Sequence, residues 1–132
     1  MSPRTLSPIA AVTSLVIGGL GLVAPGALAA PLGVTLDPTG VAVARLACAA
    51  YLGYAVLAWL ARDLTDAAAW RAIAAANAAG WGISAAIVAF GIGSAGLEGA
   101  AWLMVATQVA FALAWASAYV RVARPVTASS AA

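Results

Sequence analysis

Five polar side chains interrupt apolar stretches of this 132-residue sequence, and their types and spacing could carry chemistry. They are Arg45, Tyr51, Tyr54, Asn77 and Gln108. Polar groups on apolar helices turn towards one another, because hydrocarbon offers them no hydrogen-bond partner. Together they predict a small polar pocket for a lipid, a quinone or another amphiphile. The same residues also fit a structural role, in which an Asn77–Gln108 hydrogen bond holds two helices in register.

Arg45 is the charged residue placed furthest inside an apolar stretch. It lies about 9 Å along its predicted helix, at a rise of about 1.5 Å per residue. Asp37 and Glu98 are its candidate ion-pair partners, because the predicted topology puts both at the same side. Three interpretations stay open. The guanidinium can extend to the lipid headgroups, join two helices through an ion pair, or bind an anionic or polar ligand.

The residue types that are missing from the sequence exclude several functions. There is no histidine and a single cysteine, Cys48, so the usual ligands for a metal or haem are missing and an internal disulfide is impossible. We interpret Cys48 as a small core residue. The six arginines are scattered singly, which excludes a nucleic-acid site. With no nucleophile–base dyad, we expect no catalytic residue, no cofactor and no enzymatic activity.

The composition predicts a membrane protein. Hydrophobic residues make up 65% of the sequence and charged residues 8%, with a mean hydropathy of +1.05. Soluble domains carry about 25% charged residues, so this chain suits a lipid solvent better than water. One domain, residues 1–125, is expected to precede a disordered tail, residues 126–132. Four apolar runs within that domain predict transmembrane helices over about 8–24, 39–61, 67–91 and 97–122.

Short connections between these helices favour antiparallel neighbours. The predicted fold class is therefore an all-α, antiparallel four-helix bundle in the membrane. Asp37 is the predicted cap of the second helix, and Thr65 or Asp66 caps the third. Pro8 is expected in the first turn of the first helix, where its missing N–H has no consequence.

Charge predicts how the bundle is oriented. Asp37 and Glu98 fall on one side of the four spans. Five arginines fall on the other side: Arg4, Arg62, Arg71, Arg121 and Arg124. By the positive-inside rule, both termini face the cytoplasm of a multi-pass protein of the inner cell membrane. Four tryptophans are interpreted as interface anchors: Trp59, Trp70 and Trp115 on the arginine side, and Trp102 near the other side.

The first 30 residues also fit a secretory signal. Arg4, an apolar stretch, Pro25-Gly26 and the small residues 27–30 follow one another as they would before a cleavage site. A three-helix mature protein would result. We expect the segment to be retained, because its glycines have the spacing of a packed helix.

Small residues recur four apart and predict close helix packing. The first helix has Ser14 and Gly18, with Gly19 and Gly21 beside them; further sets are Ala78, Gly82, Ala86 and Ala106, Ala110, Ala114, Ala118. Such faces also suit a homo-oligomer or a larger membrane-protein complex. We therefore expect a non-enzymatic accessory or structural subunit; the alternative is a protein that binds or transports a small amphiphile.

The second predicted helix carries three notable segments. It starts with Asp37-Pro38-Thr39-Gly40, contains Ala44-Arg45 and ends with residues 59–62, Trp-Leu-Ala-Arg. With four short-looped spans, this layout resembles small bacterial membrane proteins of the DoxX-like kind. The resemblance implies a four-helix membrane protein linked to redox or stress-related membrane complexes. It carries over no site residue, and the lone Cys48 leaves any redox step to a partner.

Overall fold

The computed structural model describes residues 3–94, 96–97 and 99–123. Within these ranges the chain is all-helical and contains no strand, which confirms the predicted all-α class. The elements are α1 (Pro3–Val23), α2 (Pro25–Ala29), a 3₁₀ turn (Ala30–Leu32), α3 (Pro38–Ala61), α4 (Ala67–Ser94) and α5 (Ala101–Ala123). Four of these helices, α1, α3, α4 and α5, are long and apolar enough to cross a membrane.

The helices differ from the prediction at several ends. Helix α1 begins at Pro3, so Pro8 lies inside it and the expected first-turn position is wrong. The connection after α1 is partly helical, because α2 and the 3₁₀ turn occupy its first half. Helix α4 runs on to Ser94, whereas α5 begins only at Ala101. The predicted disordered tail and Glu98 lie outside the described residues.

Aspartates start two of the long helices, as predicted. The Asp37 carboxylate accepts a hydrogen bond from the Gly40 backbone N–H at 2.6 Å, ahead of α3. The Asp66 carboxylate accepts one from the Ala69 N–H at 2.6 Å, ahead of α4. Each cap satisfies an N–H that the first helical turn would otherwise leave free.

The long helices form two antiparallel pairs, α1 with α3 and α4 with α5. In the first pair, a Cβ on Gly18 would come within 2.9 Å of the Cys48 carbonyl oxygen, and a Cβ on Gly21 would overlap the Cys48 sulfur. The predicted small-residue packing is thus confirmed for α1. In the second pair, the Trp81 and Phe111 rings stack with centroids 4.9 Å apart.

One end of the bundle, which we call the closed end, brings all four long helices together. Its buried residues are Leu6, Ala10, Ala11, Ala58, Ala61, Trp70, Ala74, Trp115 and Ala118. Trp70 and Trp115 are only 5% and 0% exposed, so their predicted role as interface anchors is wrong, while Trp59 is 49% exposed. An indole ring is large enough to fill the space where four alanine-rich helices converge.

At the other end, which we call the cavity end, the two pairs diverge. The chain closes over this end through the 3₁₀ turn, whose Pro31 carbonyl accepts a hydrogen bond from the Ala100 N–H at 2.8 Å. Gly99 beside it has φ of 58° and sits so near that carbonyl that a side chain would collide with it. Only glycine adopts this conformation at such close approach without strain. The space below it stays open between the pairs.

Candidate functional site

The space between the two helix pairs is a cavity of about 460 Å³ at the cavity end. Side chains from α1, α3, α4 and α5 line it, together with residues of α2 and the 3₁₀ turn. Most of its wall is apolar, as at Ile17, Leu28, Leu103, Met104 and Phe111. Its size and lining are those of sites that bind small organic molecules, in the range of about 300–1,000 Å³.

Few polar groups face this cavity. Among the residues that the structure describes, no charged side chain lines it. Thr107 lines the cavity, but its hydroxyl already donates to the Leu103 carbonyl at 2.8 Å. Gln108 is only 2% exposed, and its Oε1 has no hydrogen-bond partner within the described part of the chain. Gln108 therefore contributes an unpartnered acceptor to the cavity wall, although the oxygen itself is covered by its neighbours.

Gln108 does not bond to Asn77, so the predicted interhelical hydrogen bond between them is wrong. The Asn77 Oδ1 instead accepts from the Tyr54 hydroxyl, and its Nδ2 donates to the Ile73 carbonyl at 2.8 Å. The reason lies in the partners that the Asn77 amide already has, since Tyr54 and Ile73 occupy both of its ends. One turn further along α4, it is Trp81 that packs against α5, through Phe111.

A second opening, which we call the lateral groove, lies between α3 and α4. Its volume is about 670 Å³. Tyr51, Tyr54 and Asn77 line it, and the Tyr54–Asn77 hydrogen bond joins its two walls. Three of the five predicted site residues thus share one groove. Tyr51 also lines the cavity, where it accompanies Gln108.

Arg45 lies apart from both spaces. It is exposed on α3, and it is absent from the described residues that line the cavity or the groove. Its Nε donates to the Leu22 carbonyl in the last turn of α1, at 3.1 Å. A cation suits that position, because the last carbonyls of a helix carry partial negative charge.

Of the two predicted ion pairs of Arg45, one is not formed and the other falls outside the described residues. Arg45 and Asp37 are both described, and they form no salt bridge; the Asp37 carboxylate is occupied by its capping bond. Glu98, the other candidate, lies outside the described residues. The contact that Arg45 makes does join two helices, as one interpretation expected, but through a backbone carbonyl.

Trp81, Phe111 and Thr13 line the cavity and were missed from the sequence. A signal was present for two of them. Trp81 follows Asn77 by one helical turn, and Phe111 follows Gln108 by nearly one turn, so each extends a face already marked by a polar residue. Cys48 is buried, as predicted, and it also lines the cavity.

The described ranges contain no cluster of three or more His, Cys, Asp or Glu side chains. Nothing in the comparisons identifies the chain: no family model, no curated protein and no solved structure matches it. The DoxX-like resemblance therefore stays a prediction.

Proposed function

We propose that this chain is a multi-pass protein of the inner cell membrane that binds a neutral amphiphile in the cavity between its helix pairs. The four long apolar helices support the membrane location. Their orientation follows from charge. Arg4, Arg62, Arg71 and Arg121 all belong to the closed end, which we assign to the cytoplasmic side. The cavity then opens within the outer half of the bilayer.

The Gln108 side chain carries the proposal of a ligand. Leaving a buried acceptor without a donor costs about 1–3 kcal/mol, and a hydroxyl or amide N–H of a ligand would recover that energy once the Gln108 amide turns its oxygen towards the cavity. The apolar wall suits a hydrocarbon chain, and a wall without charged groups disfavours an ionic headgroup. These properties favour a lipid-like molecule with an uncharged donor, such as a long-chain alcohol, a monoacylglycerol or the reduced form of a quinone.

Binding alone is proposed, without a chemical step. The polar groups of the cavity-lining residues are two threonine hydroxyls, a thiol, a phenol, an indole N–H and an amide. Proton transfer at neutral pH needs a group whose pKa lies near 7, and none of these residue types has one without strong activation. A carrier, sensor or binding subunit fits this set better than a catalyst.

Replacing Gln108 by leucine tests the proposal. The probe is 9,10-dibromo-octadecanol, whose bromines quench the fluorescence of Trp81 when the alcohol occupies the cavity. The exposed Trp59 and Trp102 are replaced by phenylalanine in every variant to remove their signal. We expect Gln108→Leu to weaken binding about tenfold, the equivalent of about 1.4 kcal/mol. The free energy of unfolding should stay the same or rise, because the substitution removes an unsatisfied acceptor.

Thr107→Val is the matched control. This neighbour lines the same cavity, but its hydroxyl is already bonded to Leu103, so the affinity should change little. The proposal fails if wild-type protein shows no saturable quenching by the alcohol. It also fails if Gln108→Leu lowers the stability of the bundle and leaves the affinity unchanged, since the amide would then be structural.

A second candidate function is that of an accessory or structural subunit which packs with itself or with a larger membrane complex. One observation favours it. Along the alanine stripe of α5, Ala114 is half-buried and Ala118 buried, whereas Ala106 and Ala110 remain exposed. The exposed half of such a stripe allows close approach of another helix. Mild detergent extraction would then yield an assembly well above the mass of the monomer.

A further inference from the structure

The lateral groove exists because α3 and α4 barely touch, although they follow one another in the chain. Small residues keep the gap open on both walls, among them Ala47 and Ala50 on α3 and Ala76 and Gly80 on α4. A Cβ on Gly80 would meet no atom of the described chain within 4 Å, so the space beside it is empty. Close packing of small residues is what normally joins membrane helices, and here it is missing.

The groove lies halfway along the helices. Its lining residues fall within 47–57 of α3 and 72–84 of α4, away from both ends of each helix. Leu57 on its rim is more than half exposed. In a membrane-spanning bundle this position faces lipid chains, because water and headgroups lie beyond the helix ends. The groove therefore opens sideways into the hydrocarbon.

Two side chains separate the groove from the cavity. Tyr51 and Trp81 line both spaces, so they form the partition between them. Trp81 is held by its stacking on Phe111, with centroids 4.9 Å apart. The Tyr51 hydroxyl makes no hydrogen bond in the part of the chain that the structure describes, and packing alone holds its ring. Tyr51 is accordingly the half of the partition that can rotate away.

We propose that the lateral groove is the path by which the hydrocarbon chain of the amphiphile passes from the bilayer interior into the cavity, with Tyr51 as the movable partition beside a fixed Trp81. This inference rests on the proposed binding function. The occupant is an alkyl chain, since the groove adjoins the apolar cavity across Tyr51 and Trp81 and opens at the depth of the lipid tails. The Tyr54–Asn77 hydrogen bond crosses the groove and limits how far its walls separate.

Filling the groove tests the path by kinetics. Protein in detergent micelles is mixed rapidly with micelles that contain 9,10-dibromo-octadecanol, and Trp81 quenching is followed in time; release is followed by dilution into empty micelles. We expect Gly80→Leu to slow binding and release alike, by about tenfold. The affinity should stay unchanged, because an obstacle on the path raises the barrier without altering the two end states.

Gly53→Leu is the matched control on α3. Gly53 also has open space around its Cβ position within the described structure, yet it belongs to neither lining. The rates of probe binding and release in Gly53→Leu should equal those of the parent protein. Equal rates would show that delivery of the probe between micelles is unaffected by a leucine on the bundle surface. Ser84→Leu fills the groove independently if Gly80→Leu fails to fold. Tyr51→Ala removes the movable partition and should accelerate binding and release together.

The outcomes separate the path from the site. Unchanged rates in both groove-filling variants, with binding intact, would overturn the path and leave the cavity as a site reached from another direction. A fall in affinity without slower release would overturn it as well, since the groove would then be a place where the probe rests. Absence of saturable quenching in the parent protein would refute the binding function itself.

Discussion

The closed end and the cavity end of this bundle use the same four helices and reach opposite results. Each end contains a buried polar atom that has no partner among the described residues, Trp115 Nε1 at the closed end and Gln108 Oε1 at the cavity end. Around Trp115 the helices converge on a packed core, whereas Gln108 belongs to the wall of a cavity of about 460 Å³. Lipid does not press helices together as water does, so packing forms only where side chains fit.

The two ends differ in whether an unpartnered polar group can be reached by another molecule. An unpartnered group inside packed side chains is a cost of folding that no ligand can recover, because nothing can reach it. The same kind of group beside an open apolar space can meet a ligand. The surroundings of a polar residue, more than its identity, distinguish a site from a structural contact.

The largest expected effect comes from the two tryptophans that mark the two ends. Trp115→Ala should lower the free energy of unfolding by about 3–5 kcal/mol, since the ring is completely buried at the closed end. Trp81→Ala should cost less, since that ring is only partly buried; its stacking on Phe111 contributes about 0.5–1.5 kcal/mol beyond the buried area that is lost. Unfolding in mixed micelles with increasing denaturing detergent measures both losses.

Trp115→Phe is the control at the closed end. It keeps most of the ring, removes the unpartnered N–H and should cost far less than Trp115→Ala. Equal losses in Trp115→Ala and Trp81→Ala would contradict the contrast between the two ends.

A smaller effect is expected within the first helix pair. Gly21→Ala should destabilise the bundle by about 1–3 kcal/mol, because the new methyl group would overlap the Cys48 sulfur. Gly19→Ala is the matched control: no atom of the described chain lies within 4 Å of its Cβ position. Adding Cys48→Ala to Gly21→Ala should restore part of the loss. Equal effects at the two glycines would show that α1 does not pack on α3 through this face.

The smallest expected effect distinguishes two buried serines of α1. The Ser7 hydroxyl donates to the Ala58 carbonyl at 2.6 Å, next to the closed end. The Ser14 hydroxyl, next to cavity-lining Thr13, has no partner in the described structure. Ser7→Ala should cost about 0.6 kcal/mol, the average for such bonds in membrane bundles. Ser14→Ala should be neutral or slightly stabilising in the same unfolding assay, and a loss as large as that of Ser7→Ala would reveal a bond at Ser14.

Several features of the fold could be predicted because they depend on local sequence. Asp37 and Asp66 cap their helices, since a carboxylate one residue before a helix reaches the free N–H groups of the first turn. The close approach at Gly18 and Gly21 also followed from spacing, because residues three or four apart share a face. The prediction for Pro8 was wrong, because a proline can lie deeper in a helix than its usual position in the first turn indicates.

The candidate site was only half predictable. Tyr51 and Gln108 do reach one cavity, and Tyr54 and Asn77 reach the adjoining groove. Arg45 does not join them, because the α1 carbonyl of Leu22 lies within its reach. The tryptophans were misassigned for a related reason: a ring near a helix end suits the membrane interface and the bundle core equally well until the neighbouring helices are placed.

The sequence by itself determined that this chain forms four long apolar helices, and it determined where two of them are capped and which end carries the arginines. These features follow from composition and from interactions within a few residues. Only the tertiary structure decided which helices pair, where the cavity lies and that Gln108 borders it. The physical reason is that alanine-rich helices present nearly equivalent faces. Their pairing therefore depends on small differences in three-dimensional fit, which no local pattern records.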